Sequence, residues 1–182
     1  MPPAADAPSP FVAAQEPVLR AAARHGLVLD LACGRGRHAR LVAGWGLPVV
    51  ALDRDREALA ALAAHARQSR LPIAALCADA EAAHGLPFPP ARFAAIVVTR
   101  FLYRPLAPVL AALLRPGGVL VYETFTIHQR DLGQGPRNAA FLLEEGELPR
   151  LFPALEVVTA QEGLREGAFP EWVASLVARK PT

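Results

Sequence analysis

Along the chain, short apolar runs alternate with stretches of helical period, and the alternation repeats three times before the midpoint. Leu27 to Leu31 is apolar on both faces up to Asp30, the pattern of a strand covered on both sides of a sheet. Pro48 to Leu52 and Leu71 to Cys77 repeat it, the first stopping at Asp53 and the second leading into Asp79-Ala80-Glu81. Between these runs, the spacing predicts helices over Arg35 to about Ala43 and over Arg54 to Arg67, where Leu59, Leu62 and Ala63 share a face. Three strand-then-helix units in succession imply parallel strands joined by right-handed crossovers.

Downstream, Phe93 to Thr99 predicts a fourth strand and Pro105 to Leu114 a helix with its prolines in the first turn. Arg115-Pro116-Gly117-Gly118 predicts a turn and Val119 to Glu123 a fifth strand. Thr124 to Asn138 has neither period and reads as a functional loop. Glu144 to Phe152 predicts a short helix. Leu155 to Ala160 and Trp172 to Arg179, joined through Gly163 to Pro170, predict an antiparallel pair at one sheet edge. Upstream, Phe11 to Arg24 predicts a helix or a kinked pair of turns, interrupted by Pro17 and ending near Gly26. The ten residues before it, MPPAADAPSP, read as a loose tail, leaving 11–182 as one α/β domain.

Composition narrows the partners. A 182-residue chain can remove roughly 70% of its unfolded surface from water around a single core. Charges interrupt every apolar run before the roughly 18 residues that a spanning helix needs, so no membrane partner is expected. The first ten residues lack the basic start and apolar centre of a signal peptide. Cys33 and Cys77 form no CxxC pair and read as buried core thiols, which fits a reduced cytoplasm. Net charge is +2, with 17 acids interspersed among 19 bases, and no basic stripe is present to track a phosphate backbone. Nucleic acid is therefore not an expected partner. His25, His38, His65 and His84 form no metal-ligand spacing, and no metal is expected.

The candidate chemistry begins where the first strand ends. In LVLDLACGRGRHA, Gly34 and Gly36 let the backbone approach a ligand, and the helix that follows offers aligned N–H donors. Asp30 precedes them, placed either to pair with a ligand ammonium or to hold the turn. Asp53 lies 19 residues beyond Gly34, at the end of the next strand, where a carboxylate can take both hydroxyls of a ribose. The plainer reading is an ordinary strand-to-helix turn, with Asp53 capping the helix that begins near Asp55. Asp79 is placed to receive an adenine amino group or to cap a turn.

These residues resemble the class I S-adenosylmethionine-dependent methyltransferases, from about Phe11 to the end. The family's acid-x-Gly-x-Gly-x-Gly pattern is matched at Asp30, Gly34 and Gly36, with Ala32 at its first glycine. Asp53 matches the acid on the ribose, Asp79-Ala80 the pair beside adenine, and LRPGGVLVYETF the shared turn and fifth strand. Arg54 and Thr99 complete the cofactor-facing set that the resemblance implies. It further implies a Rossmann-like doubly wound sheet of seven strands, in order 3-2-1-4-5-7-6 with the last antiparallel, and S-adenosylmethionine as cofactor. TRFLYRP and RNAAFLLEEGEL are most similar to small bacterial tellurite-resistance-type methyltransferases.

For the acceptor, the expectation is a small molecule, anionic if the nearby arginines bind it. Many amino-methylating nucleic-acid enzymes carry Asn/Asp-Pro-Pro-aromatic after the fourth strand, where this chain has Thr99-Arg100-Phe101-Leu102. Arg100, Arg104 and Arg137 are candidates to grip a carboxylate or oxyanion, since a guanidinium fork matches that shape. Glu123, His128 and Tyr103 are candidate proton acceptors, with Glu123 equally able to pair with an arginine for structure. Two rivals share the turn. One is a nicotinamide-dependent oxidoreductase, since Gly34-x-Gly36-x-x-Ala39 with Asp53 also fits a dinucleotide fingerprint. The other is a non-catalytic S-adenosylmethionine-binding module.

Overall fold

In a computed structural model, which describes residues 7–24, 26–83, 85–167 and 169–182, seven strands form one sheet in the order β3-β2-β1-β4-β5-β7-β6. The strands are β1 (Leu27–Leu31), β2 (Val49–Asp53), β3 (Ile73–Cys77), β4 (Phe93–Thr99), β5 (Leu114–Phe125), β6 (Glu156–Arg165) and β7 (Glu171–Arg179). The first five are mutually parallel, and β7 runs antiparallel to both β5 and β6. This is the order and the reversed last strand that the family resemblance implies.

The two faces of the sheet explain the continuous apolar runs. Every residue of the central β4 is buried. One face packs Leu29, Leu31, Ile96, Leu120 and Leu176 against α5 (Ala107–Leu113) and Phe152. The other packs Val28, Val97 and Val121 against α1 (Pro10–Ala14), α2 (Glu16–Ala23), α3 (Arg37–Gly44) and α4 (Arg56–Gln68). Each buried Leu or Val contributes roughly 1.5–3 kcal/mol relative to exposure, so the central strands hold the carboxyl-end loops on a stiff base.

Local chemistry sets the element boundaries. The Asp55 carboxylate accepts from the N–H groups of Glu57 and Ala58, both at 3.0 Å, so α4 starts at Arg56 and its cap is Asp55, not Asp53. β5 begins five residues before Val119: Leu114 pairs with Phe93, and a register shift takes up the Pro116-Gly117-Gly118 bend. Gly117 and Gly118 exchange backbone hydrogen bonds with Lys180. The expected Gly163 to Pro170 turn is shorter, because Gly163, Leu164 and Arg165 stay in register with Val173, Trp172 and Glu171. The helix expected over Glu144 to Phe152 is reduced to α6 (Glu147–Arg150).

In the expected 124–138 loop, β5 first runs on to Phe125 and a 3-10 turn covers Ile127–Leu132. Buried Gln129 pins it, accepting from Trp172 N–H at 2.7 Å and donating to the Gln134 carbonyl at 3.0 Å. The chain is not a free tail up to residue 10. Ser9 is 6% exposed and caps α1 through its hydroxyl, while residues 1–6 lie outside the described residues. Cys77 is exposed on the edge strand β3, against the expectation of burial, whereas Cys33 is buried. His25 and His84 lie outside the described residues.

Candidate active site at the carboxyl ends of the parallel strands

Where β1 ends, Ala32 and Gly34 both take left-handed backbone, with φ of 51° and 53°. Ala32 thus occupies a conformation suited to glycine, at a cost of about 1 kcal/mol. A side chain built on Gly34 would meet no atom within 4 Å, so this turn presents bare backbone to open space. Gly36, at φ 74°, serves packing instead: a Cβ there would lie 2.5 Å from Leu62.

Two acids brace the turn. Asp53 accepts from Gly34 N–H at 2.7 Å and from Asp55 N–H at 2.9 Å, leaving lone pairs toward the cavity it lines. Asp30 is 2% exposed. One of its oxygens accepts from Ala39 N–H at 2.8 Å, and the other, Oδ1, is buried with no partner. Burial pushes its carboxyl up to about 7, with the Ala39 N–H and the Arg37 guanidinium pulling the other way.

The main cavity, about 370 Å³, brings together Ala32, Asp53, Arg54, Asp79, Ala80 and Arg100 from the expected set. A smaller one of about 240 Å³ lies against the turn, lined by Gly34, Arg37 and Thr99 and sharing Ala32 and Arg100 with the first. Arg100 therefore stands where the two meet. Its guanidinium lies 5.8 Å from the Phe125 ring centroid, and its Nη2 donates to Glu171 at 2.6 Å.

Asp30, Gly36, Tyr103, Arg104, Glu123, His128 and Arg137 line neither cavity. Arg104, expected at the acceptor, forms a bidentate pair with Glu147, at 2.6 and 2.8 Å, and its Nη groups also donate to the Ala140 and Leu142 carbonyls. Each partner shifts the other's pKa, Arg104 up and Glu147 down. Glu123 is 3% exposed and takes hydrogen bonds from Ser9 Oγ at 2.7 Å, Arg165 at 2.8 Å and Ser175 at 3.3 Å. His128 packs beside Trp172, with ring centroids 5.1 Å apart, and lies 3.9 Å from Asp131. Arg137 is an exposed side chain reaching the Gly133 carbonyl. Tyr103 packs against the core, and the Tyr122 hydroxyl donates to the Phe101 carbonyl at 2.9 Å.

Some contributors were missed. Phe125, Pro136 and the half-exposed Phe141 form an apolar wall of the main cavity. Ser9, His38, Arg165 and Glu171 surround the site as a hydrogen-bonded frame. For Ser9 there was a local signal, since serine before Pro10 is the pairing of an N-cap with a first-turn proline.

The cavity lining suits a cationic amino-acid nucleoside, with bare backbone at Gly34 and carboxylates at Asp53 and Asp79. Among the described residues, no group of three or more His, Cys, Asp or Glu side chains converges to hold a metal ion. No helix among them is long and apolar enough to cross a membrane.

A family profile described as "Methyltransferase domain" matches residues 28–118, half of the chain. No curated protein matches the sequence. Among solved structures, the one reported for conversion of a disulfide bond into a thioacetal group during echinomycin biosynthesis is similar at TM-score 0.75 and 22% identity, covering 96% of this chain and 82% of that one. TehB from Haemophilus influenzae is similar at TM-score 0.74 and 21% identity, covering 92% of this chain and 62% of TehB. A S-adenosylmethionine-dependent methyltransferase from Methanosarcina mazei is similar at TM-score 0.72 and 19% identity, covering 91% and 97%. At these identities the structures share the fold, and the family profile supplies the activity, so the nicotinamide reading gives way. The chain belongs to the methyltransferase-domain family and is a class I S-adenosylmethionine-dependent methyltransferase.

Proposed function

We propose that this enzyme methylates a small acceptor carrying an anionic group, and that Arg100 holds that group. The observation behind this reading is the position of Arg100, which lines both cavities beside the Phe125, Pro136 and Phe141 wall. Glu171 holds its guanidinium in place and links it through Arg165 to Glu123.

S-adenosylmethionine supplies an electrophilic methyl group on its sulfonium. The chain's part is to hold and orient. In this reading Asp53 takes ribose hydroxyls, Asp79 and Ala80 face the purine, and Gly34 gives backbone access. Arg100 aligns the acceptor, and the apolar wall keeps water from the reacting atoms. The three candidate bases lie outside both cavities. The acceptor therefore brings a nucleophile that is deprotonated near neutral pH or that releases its proton to solvent.

The small-molecule assignment is supported by charge, since the acids are interspersed among the bases along the chain. Both cysteines are free, as a reducing cytoplasm permits. The test is incubation with methyl-labelled S-adenosylmethionine and a panel of small carboxylates and oxyanions, each beside a neutral analogue. Label is expected in the anionic members; label confined to neutral ones sinks the reading.

A further inference from the structure

The N-terminal segment touches the site through one serine. Ser9 N–H donates to His38 Nε2 at 2.9 Å, and His38 Nδ1 lies 3.1 Å from Thr99 Oγ1. Ser9 Oγ meanwhile donates to Glu123, which leads through Arg165 and Glu171 to Arg100. His38 and Thr99 are both buried, and Thr99 lines the cavity at the glycine turn.

The proton inventory of the first chain admits one solution. A backbone N–H can only donate, so Nε2 carries no proton. A neutral imidazole must then carry its proton on Nδ1 and donate it to Thr99 Oγ1. The Thr99 oxygen is thereby occupied as an acceptor, and its own hydroxyl proton is left to donate elsewhere. No other hydrogen bond of Thr99 Oγ1 is present among the described residues, and the open space beside it is the cavity. Burial, with Arg37 and Arg100 nearby, pushes His38 down to about 3, so the neutral ring persists across physiological pH.

We infer that Ser9 and His38 are positioning residues, which turn the Thr99 hydroxyl into a donor aimed at a carboxylate oxygen bound in the glycine-turn cavity. The carboxylate is that of the cofactor's amino-acid end or that of the acceptor. Ser9 anchors this donor through His38. With the cofactor as the carboxylate source the inference rests on the family's cofactor alone; with the acceptor as the source it rests on the anionic-acceptor reading.

The experiment combines nitrogen NMR of the histidine rings in the wild-type protein with calorimetry on Ser9→Ala, His38→Leu and His38→Asn. The Asn amide can replace the Nδ1–H donor. Titrants are S-adenosylhomocysteine, 5′-methylthioadenosine, which lacks the carboxylate, and benzoate added to the S-adenosylhomocysteine complex. Wild-type His38 is expected to be protonated on Nδ1 and bare on Nε2. His38→Leu is expected to weaken S-adenosylhomocysteine about tenfold, with 5′-methylthioadenosine unchanged and His38→Asn restoring most of the loss. Ser9→Ala retains the main-chain N–H and is expected to fall between wild type and His38→Leu.

If S-adenosylhomocysteine is unaffected and benzoate weakens instead, the inference stands with the acceptor as the carboxylate source. A proton on Nε2 would overturn it. So would equal weakening of both nucleosides, or no weakening of either carboxylate in a folded His38→Leu protein. Because the NMR measurement needs no variant, a His38 substitution that fails to fold leaves the test intact.

Discussion

Asp30 shows how a single residue's environment becomes a measurable property. Its carboxyl is raised by burial to about 7 from an ordinary 3.8, so the folded protein binds a proton there that the unfolded chain releases. The stability this proton confers is present below about pH 4 and is lost as pH rises to about 7. Asp30→Asn removes the titration. Thermal melts of the cofactor-free protein should therefore show the variant gaining on wild type from about pH 4 to about 7 and holding a constant lead above that. A parallel pair of curves contradicts the assignment.

Gly36 and Gly34 separate packing from binding at the same scale. Gly36→Ala combines left-handed backbone strain with a clash against Leu62, and should cost roughly 2 kcal/mol or more, at least about 4 °C in Tm. Gly34→Ala meets open space, so calorimetry should find weaker S-adenosylhomocysteine binding with a smaller loss of Tm. Both glycines were readable from the chain, but their division of labour was not, because it depends on Leu62 packing behind one of them. Glu123 was equally opaque: its partner Ser9 lies 114 positions away and no local pattern announces the contact.

Among the elements, the strands read best where burial is complete. Leu27 to Leu31 and Phe93 to Thr99 coincide with β1 and β4, since strands covered on both faces read as nearly continuous apolar runs, broken here only at Asp30 and Thr99 near the carboxyl ends. Boundaries failed where tertiary pairing overrode local breakers. The Pro-Gly-Gly of β5 is skipped by the β4 register yet continues the strand, because Gly117 and Gly118 exchange backbone hydrogen bonds with Lys180, whose Nζ donates to the carbonyls of Ala111, Ala112 and Leu114 at the end of α5.

Arg104 belongs to this scale, as the clamp that holds α6 against the turn before α5. Arg104→Met should leave Glu147 without its partner and cost about 1–2 kcal/mol in a denaturation curve. S-adenosylhomocysteine affinity should stay unchanged. An affinity loss without a stability loss would return Arg104 to the binding machinery.

At the scale of the whole molecule, three early strand-helix units and a late antiparallel pair were enough to imply the sheet, and its order agrees with the resemblance. The topology places the ends of β1, β2 and β3 around Asp53 and Asp79, and those of β4 and β5 around Arg100 and Phe125. That half was legible because turn and carboxylates sit at fixed spacing along the chain. On the other side of the cavity only Arg100 was singled out from the sequence, since the wall beside it comes from Phe125, Pro136 and Phe141, which no periodic pattern links.

In the proposed function, Arg100 receives the acceptor's anionic group. Steady-state KM values for whichever small acid is methylated, in wild type and Arg100→Gln, test it most directly. Removing a charged partner from a carboxylate costs about 1.5–3 kcal/mol, so the acceptor KM should rise at least about tenfold while the KM for S-adenosylmethionine changes far less. An unchanged acceptor KM in a variant that still turns over would contradict the account.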